Sequence, residues 1–493
     1  MSQLILPILS AILFSLSFSS FNLWLLAWCA FIPLFISLEK KSLLQSFLIA
    51  YLWGVIFWGL SIYWLIHVTL LGQIVLILYL AVFSGAFACL IHLSGRFSPV
   101  ILLFFIPSSW VLLEYLRSYL FTGFPWALAG FSQYRNLPVI QIADITGCWG
   151  VSFLVVLVNS GAYLALRRRP KIQIILVCLC VLFLSLGYGF YRLSYKPAAC
   201  AGDERVKVSV VQGNIPQDLK WDKRSAEGIL KGYIELTERA SLDAPGLIIW
   251  PEASVPVLWG DDAGDTQFRQ IFSLAAKLNT NLLVGAVSRF GEEYFNSALF
   301  IDNSGQPEKI YNKLHLVPFG EFVPFKDVFP FLQSIAPIGD IQPGREYVVF
   351  QHPAKFSVLI CFEDLFPELS REFISRGARF LVNITNDAWY KEGSAPYQHF
   401  AASVFRAVEN HVYLVRSANT GISGFIDPFG RISSIVQDES ARCIFIKGYR
   451  SKEICLGPYQ RTIYNRYADL FILFCLLFAG SALVSTLRKR HSP

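Results

Sequence analysis

The run Leu247-Ile248-Ile249-Trp250-Pro251-Glu252 reads as a short buried strand that a proline stops and that delivers a carboxylate at its end. Val358-Leu359-Ile360-Cys361 ends in the same way on a thiol, and between the two Tyr311-Asn312-Lys313 places an ammonium. Strand ends are where layered α/β proteins assemble their sites. Outward from these runs the pattern continues: strand-like segments at 206–212, 282–287 and 380–384 alternate with helix-like segments at 226–240 and 266–278. Such alternation predicts a layered α/β domain over residues 193–466, long enough to bury a core of its own.

Both flanks of that domain are apolar. Of 493 residues 54% are hydrophobic and 16% charged, against roughly 25% charged in ordinary soluble domains, and mean hydropathy is +0.48. A bilayer core about 30 Å thick takes about 20 apolar helical residues. Eight candidate spans follow: two within 4–37, divided by a bend near Asn22, then 48–66, 70–92, 100–120, 150–166, 172–191 and 468–487. Residues 1–192 are thus expected to form seven transmembrane helices, and 467–493 an eighth with a basic tail. Met1-Ser2-Gln3 lacks the positive start of a secretory signal, so the first run is expected to be retained. Lys40, Lys41, Arg96, the run 167–171 and Arg488-Lys489-Arg490 all fall on one side, which the positive-inside rule makes cytoplasmic. Both termini then lie inside and residues 193–466 face outward.

The net charge of +7 does not point to nucleic acid, because the basic residues cluster at the ends of apolar runs and no RNA- or DNA-binding motif appears. Ten cysteines without CxxC or Cys/His ligand spacing indicate neither a disulfide framework nor a metal site, and no cofactor is expected. Five of them lie in apolar runs, which leaves Cys361 among few that can meet water. A thiol needs a base to become a nucleophile, and the oxyanion formed by its attack on a carbonyl needs a cation or N–H donors. Glu252, Lys313 and Cys361 supply those functions. Taken singly they read as a helix cap, a solvated lysine and a small buried hydrophobe; their shared placement at strand ends favours a site.

Pro251-Glu252, Asn312-Lys313 followed by Val317-Pro318-Phe319-Gly320-Glu321, and Cys361-Phe362-Glu363-Asp364 resemble the nitrilase, or carbon-nitrogen hydrolase, superfamily over about residues 206–450. With Gln212-Gly213-Asn214-Ile215, Lys220-Trp221 and the apolar flanks, the whole chain resembles the apolipoprotein N-acyltransferase family. The resemblance implies an α-β-β-α sandwich in which Glu252 is general base, Lys313 stabilises the oxyanion and Cys361 carries the acyl group as a thioester. It implies a ping-pong reaction: a glycerophospholipid gives up an acyl chain, and the α-amino group of a lipoprotein's diacylglyceryl-cysteine receives it. It further implies that the enzyme works at the periplasmic face of a bacterial inner membrane. Glu321 and Glu363 are implied as supports of the site, and Trp221 as part of the lipid entrance. Phe362 departs from the family pattern, where a tyrosine commonly follows the cysteine.

Two other readings compete. In a membrane-tethered amidase water would resolve the acyl-enzyme, although one helix would then suffice as anchor. A transporter or ligand sensor would carry more intramembrane charge than Glu114 and Arg117, which at helical spacing are expected to pair with each other. His315 suggests a Cys-His dyad only weakly, and Asn383, Asn386 and Asp387 are expected to belong to the strand and loop beyond Cys361, with turn-forming rather than catalytic roles.

Overall fold

The computed structural model describes residues 2–18, 20–167, 171–194, 204–222, 224–323, 341–457 and 460–491. The chain divides into two units, one of Met1–Tyr195, Gly393–Ala401 and Thr462–Pro493, the other of Lys196–Glu392 and Ala402–Arg461.

Among the described residues of the first unit, five helices are long and apolar enough to cross a membrane: Leu43–Ser61, Leu70–Leu93, Pro99–Tyr119, Cys148–Arg167 and Ile172–Ser194. Side-chain caps start three of them, as Ser42, Thr69 and Ser98 accept the N–H groups of Gln45, Gly72 and Ile101. The other three expected spans fall on shorter apolar helices. Ser2–Leu16 has 15 residues and Ile32–Ser37 six, and the bend between them comes where Asn22 takes a φ of 59°. At 1.5 Å per residue these two reach roughly 22 and 9 Å. In the last, Leu470–His491, the apolar part is Leu470–Ser485. Hydropathy does not separate a helix that faces lipid from one that packs on protein. Here Phe14 and Phe31 are buried against Trp53, Phe57 and Trp110.

Glu114 and Arg117, both buried, grip the chain that follows their helix. Glu114 accepts the N–H of Ala129 at 2.7 Å, while Arg117 donates to the carbonyls of Phe124 and Trp126 and lies over the Trp58 ring. Where their spacing predicted a pair, these hydrogen bonds run from both side chains to the loop and fix it. In the same unit the indoles of Trp64 and Trp126 both donate to Gln398, whose amide donates to the carbonyl of Ser61.

The second unit holds two sheets. The first runs β12 (Gly448–Leu456), β1 (Glu204–Gln212), β2 (Leu247–Ile249), β4 (Asn281–Phe290), β5 (Glu293–Ile301) and β6 (Pro307–Asn312), with β3 (Leu258–Trp259) beside β4. The second runs β11 (Ile432–Ile435), β10 (Gly424–Ile426), β9 (Tyr413–Ala418), β8 (Phe380–Thr385) and β7 (Phe356–Ile360). Pairing is parallel at β1–β2–β4 and β7–β8–β9, where helices make the crossovers, and antiparallel elsewhere except at β3. Successive side chains of a strand point to opposite faces, and β9 uses this to join the layers. Ser417 donates to the carbonyls of Val211 and Ile249 in the first sheet, while Arg416 turns the other way, to Ser403 on a helix. Helices Ala226–Ser241 and Asp265–Leu278 cover the outer face of the first sheet through Tyr233, Leu236, Ile271 and Leu274, packed with Ile248, Trp250 and Leu282. The layers are helix, sheet, sheet, helix. Cys455, on β12, is disulfide-bonded, a single feature that cysteine spacing did not indicate.

Candidate active site

β2 ends because Pro251 has no N–H to continue the ladder. The N–H of Trp250 still bonds the carbonyl of Leu283, and pairing resumes only when Ser254 reaches Gly285. A Cβ at Gly285 would stand 2.1 Å from the Pro251 carbonyl oxygen, so glycine is what lets the turn pass. Ala253 takes a φ of 43° there, and the Glu252 carboxylate emerges buried. Lys313 follows β6 directly, its N–H bonded to the carbonyl of Asn296 at 2.8 Å. Cys361 follows β7 with a φ of 54°, a left-handed backbone that costs a non-glycine residue about 1–2 kcal/mol and is characteristic of functional turns.

The carboxylates and the ammonium form one cluster. Lys313 Nζ lies 2.8 Å from Glu321 and 3.8 Å from Glu252. Asn296, on β5, donates one N–H to Glu252 and the other to Glu321, both at 2.7 Å. Two carboxylates can only accept, so the orientation of that amide is fixed. Glu321 is held in turn by the N–H of Val317 at 2.8 Å. Burial pulls the Lys313 ammonium down, but Glu321 and Glu252 outweigh it and hold it well above the ordinary lysine range. It therefore stays charged. Burial, and then the charge of Glu252, push the Cys361 thiol well above its ordinary range, with Lys313 pulling the other way. The resting sulfur is thus a neutral thiol, and a neutral thiol becomes a nucleophile only where a base takes its proton.

Glu363 ties the turn after β7 to the turn after β6. Its oxygens accept the N–H groups of Ile360, Leu314 and His315 at 2.7–3.0 Å and the hydroxyl of Tyr311 at 2.9 Å. Burial still pushes its carboxyl up to about 7. The main chain of Cys361 is fixed from behind, where Asn383 on β8 donates to its carbonyl at 2.9 Å. Arg416 holds the oxygen of Asn383 at 2.6 Å and the carboxylate of Asp364 at 2.9 Å, all fully buried. Asn383 therefore sits inside β8, within the expected strand, and holds the turn that carries Cys361.

Glu252, Lys313, Glu321, Glu363 and Cys361 are thus brought together. Trp221 stands apart as an exposed side chain, 47% accessible. Phe362 is buried against Phe366 and His315, and the His315 ring stacks on Phe366 at 3.7 Å. Sequence reasoning missed Asn296, Tyr311, Asn383 and Arg416. A polar residue inside an otherwise apolar run, as in Leu381-Val382-Asn383-Ile384, was the available signal. Among the described residues no group of three or more His, Cys, Asp or Glu side chains is placed to hold a metal ion.

With a carboxylate, an ammonium and a thiol gathered at the strand ends of two sheets, the domain is of the carbon-nitrogen hydrolase class. The model of the Carbon-nitrogen hydrolase family matches residues 207–446, and that of the Apolipoprotein N-acyltransferase N-terminal domain matches 10–161. An apolipoprotein N-acyltransferase of Geobacter metallireducens is 38% identical over 99% of this chain and 95% of its own length. Those of Chlorobaculum tepidum (30% identical, 98% and 97% covered) and Haemophilus ducreyi (31%, 85% and 85%) are similar as well. The chain belongs to the apolipoprotein N-acyltransferase family, and it is an acyltransferase.

Proposed function

We propose that the protein moves a fatty acyl chain from a glycerophospholipid to the α-amino group of the diacylglyceryl-cysteine that begins a lipoprotein, through a thioester on Cys361. Glu252 takes the thiol proton as the sulfur attacks the ester carbonyl carbon. The oxyanion forms against the Lys313 ammonium. When it collapses, the lysophospholipid hydroxyl leaves with the proton from Glu252 and the thioester remains. The incoming amine then attacks the thioester, Glu252 accepts its proton, and the thiol is restored as the amide departs. A thiolate leaves more readily than an alkoxide, so amine attack is easier here than on the phospholipid itself. The observation that carries this reading is the Lys313 ammonium between two carboxylates, beside a buried thiol on a left-handed turn.

Both substrates are lipids, and lifting acyl chains into water costs about 0.8 kcal/mol per CH₂. That favours a catalytic domain, residues 193–466, at the bilayer surface, with 1–192 and 467–493 as the membrane part and the exposed Trp221 at the lipid entrance. The basic runs beside the apolar segments support cytoplasmic termini and a periplasmic domain of a bacterial inner-membrane protein. The disulfide at Cys455 supports the same side, since such bonds persist in oxidising compartments. The test is incubation of the purified enzyme with a defined phospholipid and a diacylated lipopeptide, followed by mass spectrometry of the peptide. Gain of one amide-linked acyl chain is the expected result. Release of free fatty acid with the peptide unchanged would favour the amidase-like reading instead.

A further inference from the structure

Lys220 is a second buried ammonium at this site, and no role above absorbs it. It is 4% exposed, although Leu219 and Trp221 on either side of it are exposed. Its Nζ donates to the main-chain carbonyl of Glu252 at 2.9 Å, the peptide that leads into the left-handed Ala253. The loop that delivers it is anchored. Asn419 accepts the N–H of Ile215 at 2.9 Å and donates to its carbonyl at 2.7 Å, and Asn386 donates to Gln217 at 2.7 Å. Burying an ammonium is costly unless anions compensate it, and the resting anion that acts on Lys220 is Glu252, joined by Cys361 when its sulfur carries negative charge.

We propose that Lys220 is a second cation of the catalytic centre, a positioning residue that fixes the Glu252 peptide and whose positive charge favours acyl-enzyme formation. The inference rests on the reading of Cys361 as nucleophile and Glu252 as base. Among Glu252, Glu321, Lys313 and Lys220 two carboxyl groups meet two ammonium groups, and without Lys220 a single ammonium is left for both; Asp387 close by pairs with Arg416. As Cys361 loses its proton to Glu252 and the sulfur bonds to carbon, the negative charge passes to the oxyanion and remains in the pocket. With Glu252 then protonated, the oxyanion and Glu321 face Lys313 and Lys220, and removal of Lys220 leaves those two negative charges with a single cation. Burial brings the Lys220 ammonium down to about 8, against the raising effects of Glu252 and Cys361. The compensating charge is therefore present at neutral pH and lost above it. The other ionisable groups coupled to the same pair are Lys313, held charged by its two carboxylates, Asp387, which pairs with Arg416, and Tyr390, which burial keeps neutral.

The experiment follows single-turnover acylation of the full-length enzyme in micelles by a defined phospholipid, by intact mass, from pH 6 to 9.5. Wild type, Lys220→Gln, Lys220→Arg and Cys361→Ala are compared. Wild-type acylation should fall about tenfold per pH unit above the Lys220 titration near pH 8. Lys220→Gln should be at least about tenfold slower at pH 7 and lack that alkaline fall, while Lys220→Arg, which keeps its charge, should move the fall beyond the range. A Lys220→Gln enzyme that keeps the fall, whatever its absolute rate, overturns the proposal, since a merely structural lysine would leave the pH profile unmoved. If that variant does not fold, a wild type with no fall, or Lys220→Arg with an unshifted one, overturns it as well. No adduct on wild type would bring down the nucleophile reading and this inference together, whereas an adduct with an unmoved profile brings down this inference alone.

Discussion

Asn296→Ala removes the one amide shared by the two carboxylates of the site. Asn296 donates at 2.7 Å to Glu252 and at 2.7 Å to Glu321, and hydrogen bonds to charged groups contribute about 1.5–3 kcal/mol each. The pair is worth roughly 3–6 kcal/mol. Lys313, 2.8 Å from Glu321 and 3.8 Å from Glu252, recovers some of it by shifting between them. If the half that orients Glu252 is lost at the proton-transfer step, about 1.5–3 kcal/mol, acylation of Cys361 slows about 10- to 150-fold. The assay is single-turnover acyl-enzyme formation followed by intact mass, with circular dichroism to confirm the fold. Asn296→Asp is the companion variant: it keeps the shape but replaces the donor with a third carboxylate beside the other two, so it should lose more activity than Asn296→Ala at pH 7. An Asn296→Ala enzyme that folds and acylates within twofold of wild type would refute the reasoning.

Lys313→Met should abolish measurable acylation and destabilise the domain by about 3–5 kcal/mol, because it leaves Glu252 and Glu321 as unpaired buried charges; thermal unfolding and acyl-adduct mass read the two effects separately. Asn383→Leu should slow acylation about tenfold or more by freeing the strained Cys361 peptide, and iodoacetamide labelling of Cys361 should become less selective over the other thiols. Glu363 adds a pH dependence of stability. Its folded carboxyl is raised from 4.5 to about 7, so its contribution is complete below about pH 4.5 and is lost as pH rises through about 7, on the order of 3 kcal/mol. Glu363→Gln should flatten that part of the curve in urea unfolding between pH 5 and 8; a mutant curve parallel to wild type would contradict the assignment.

The strands that carry the site were legible because β2, β7 and β8 are short apolar runs ended by proline or by a polar residue. Glu252, Lys313 and Cys361 stood out as the functional groups at those ends. The supports were not legible. Asn296 and Asn383 lie inside strands, and their partners, Glu252 and Glu321 for the first and Cys361 and Arg416 for the second, come from strands and turns of the same sheet that are distant in the chain, so that only the strand order decides the pairing. Lys220 was visible only as half of a motif beside Trp221, because nothing in Leu219-Lys220-Trp221 tells which of the three side chains turns inward. The count of membrane spans was limited in another way. Hydropathy marks residues 4–37 as apolar, but the 15-residue helix Ser2–Leu16 and the six-residue helix Ile32–Ser37 share an aromatic cluster with Trp53 and Trp110, so apolarity there also reflects protein packing.

The central claim is the acyl-enzyme on Cys361, and intact-protein mass spectrometry after incubation with a defined phospholipid tests it most directly. The account predicts a mass increase of one acyl chain on wild type, absent from Cys361→Ala, removed by hydroxylamine and discharged by a diacylated lipopeptide. An active wild-type enzyme that never shows the adduct, or a Cys361→Ala enzyme that still transfers the chain, would contradict it.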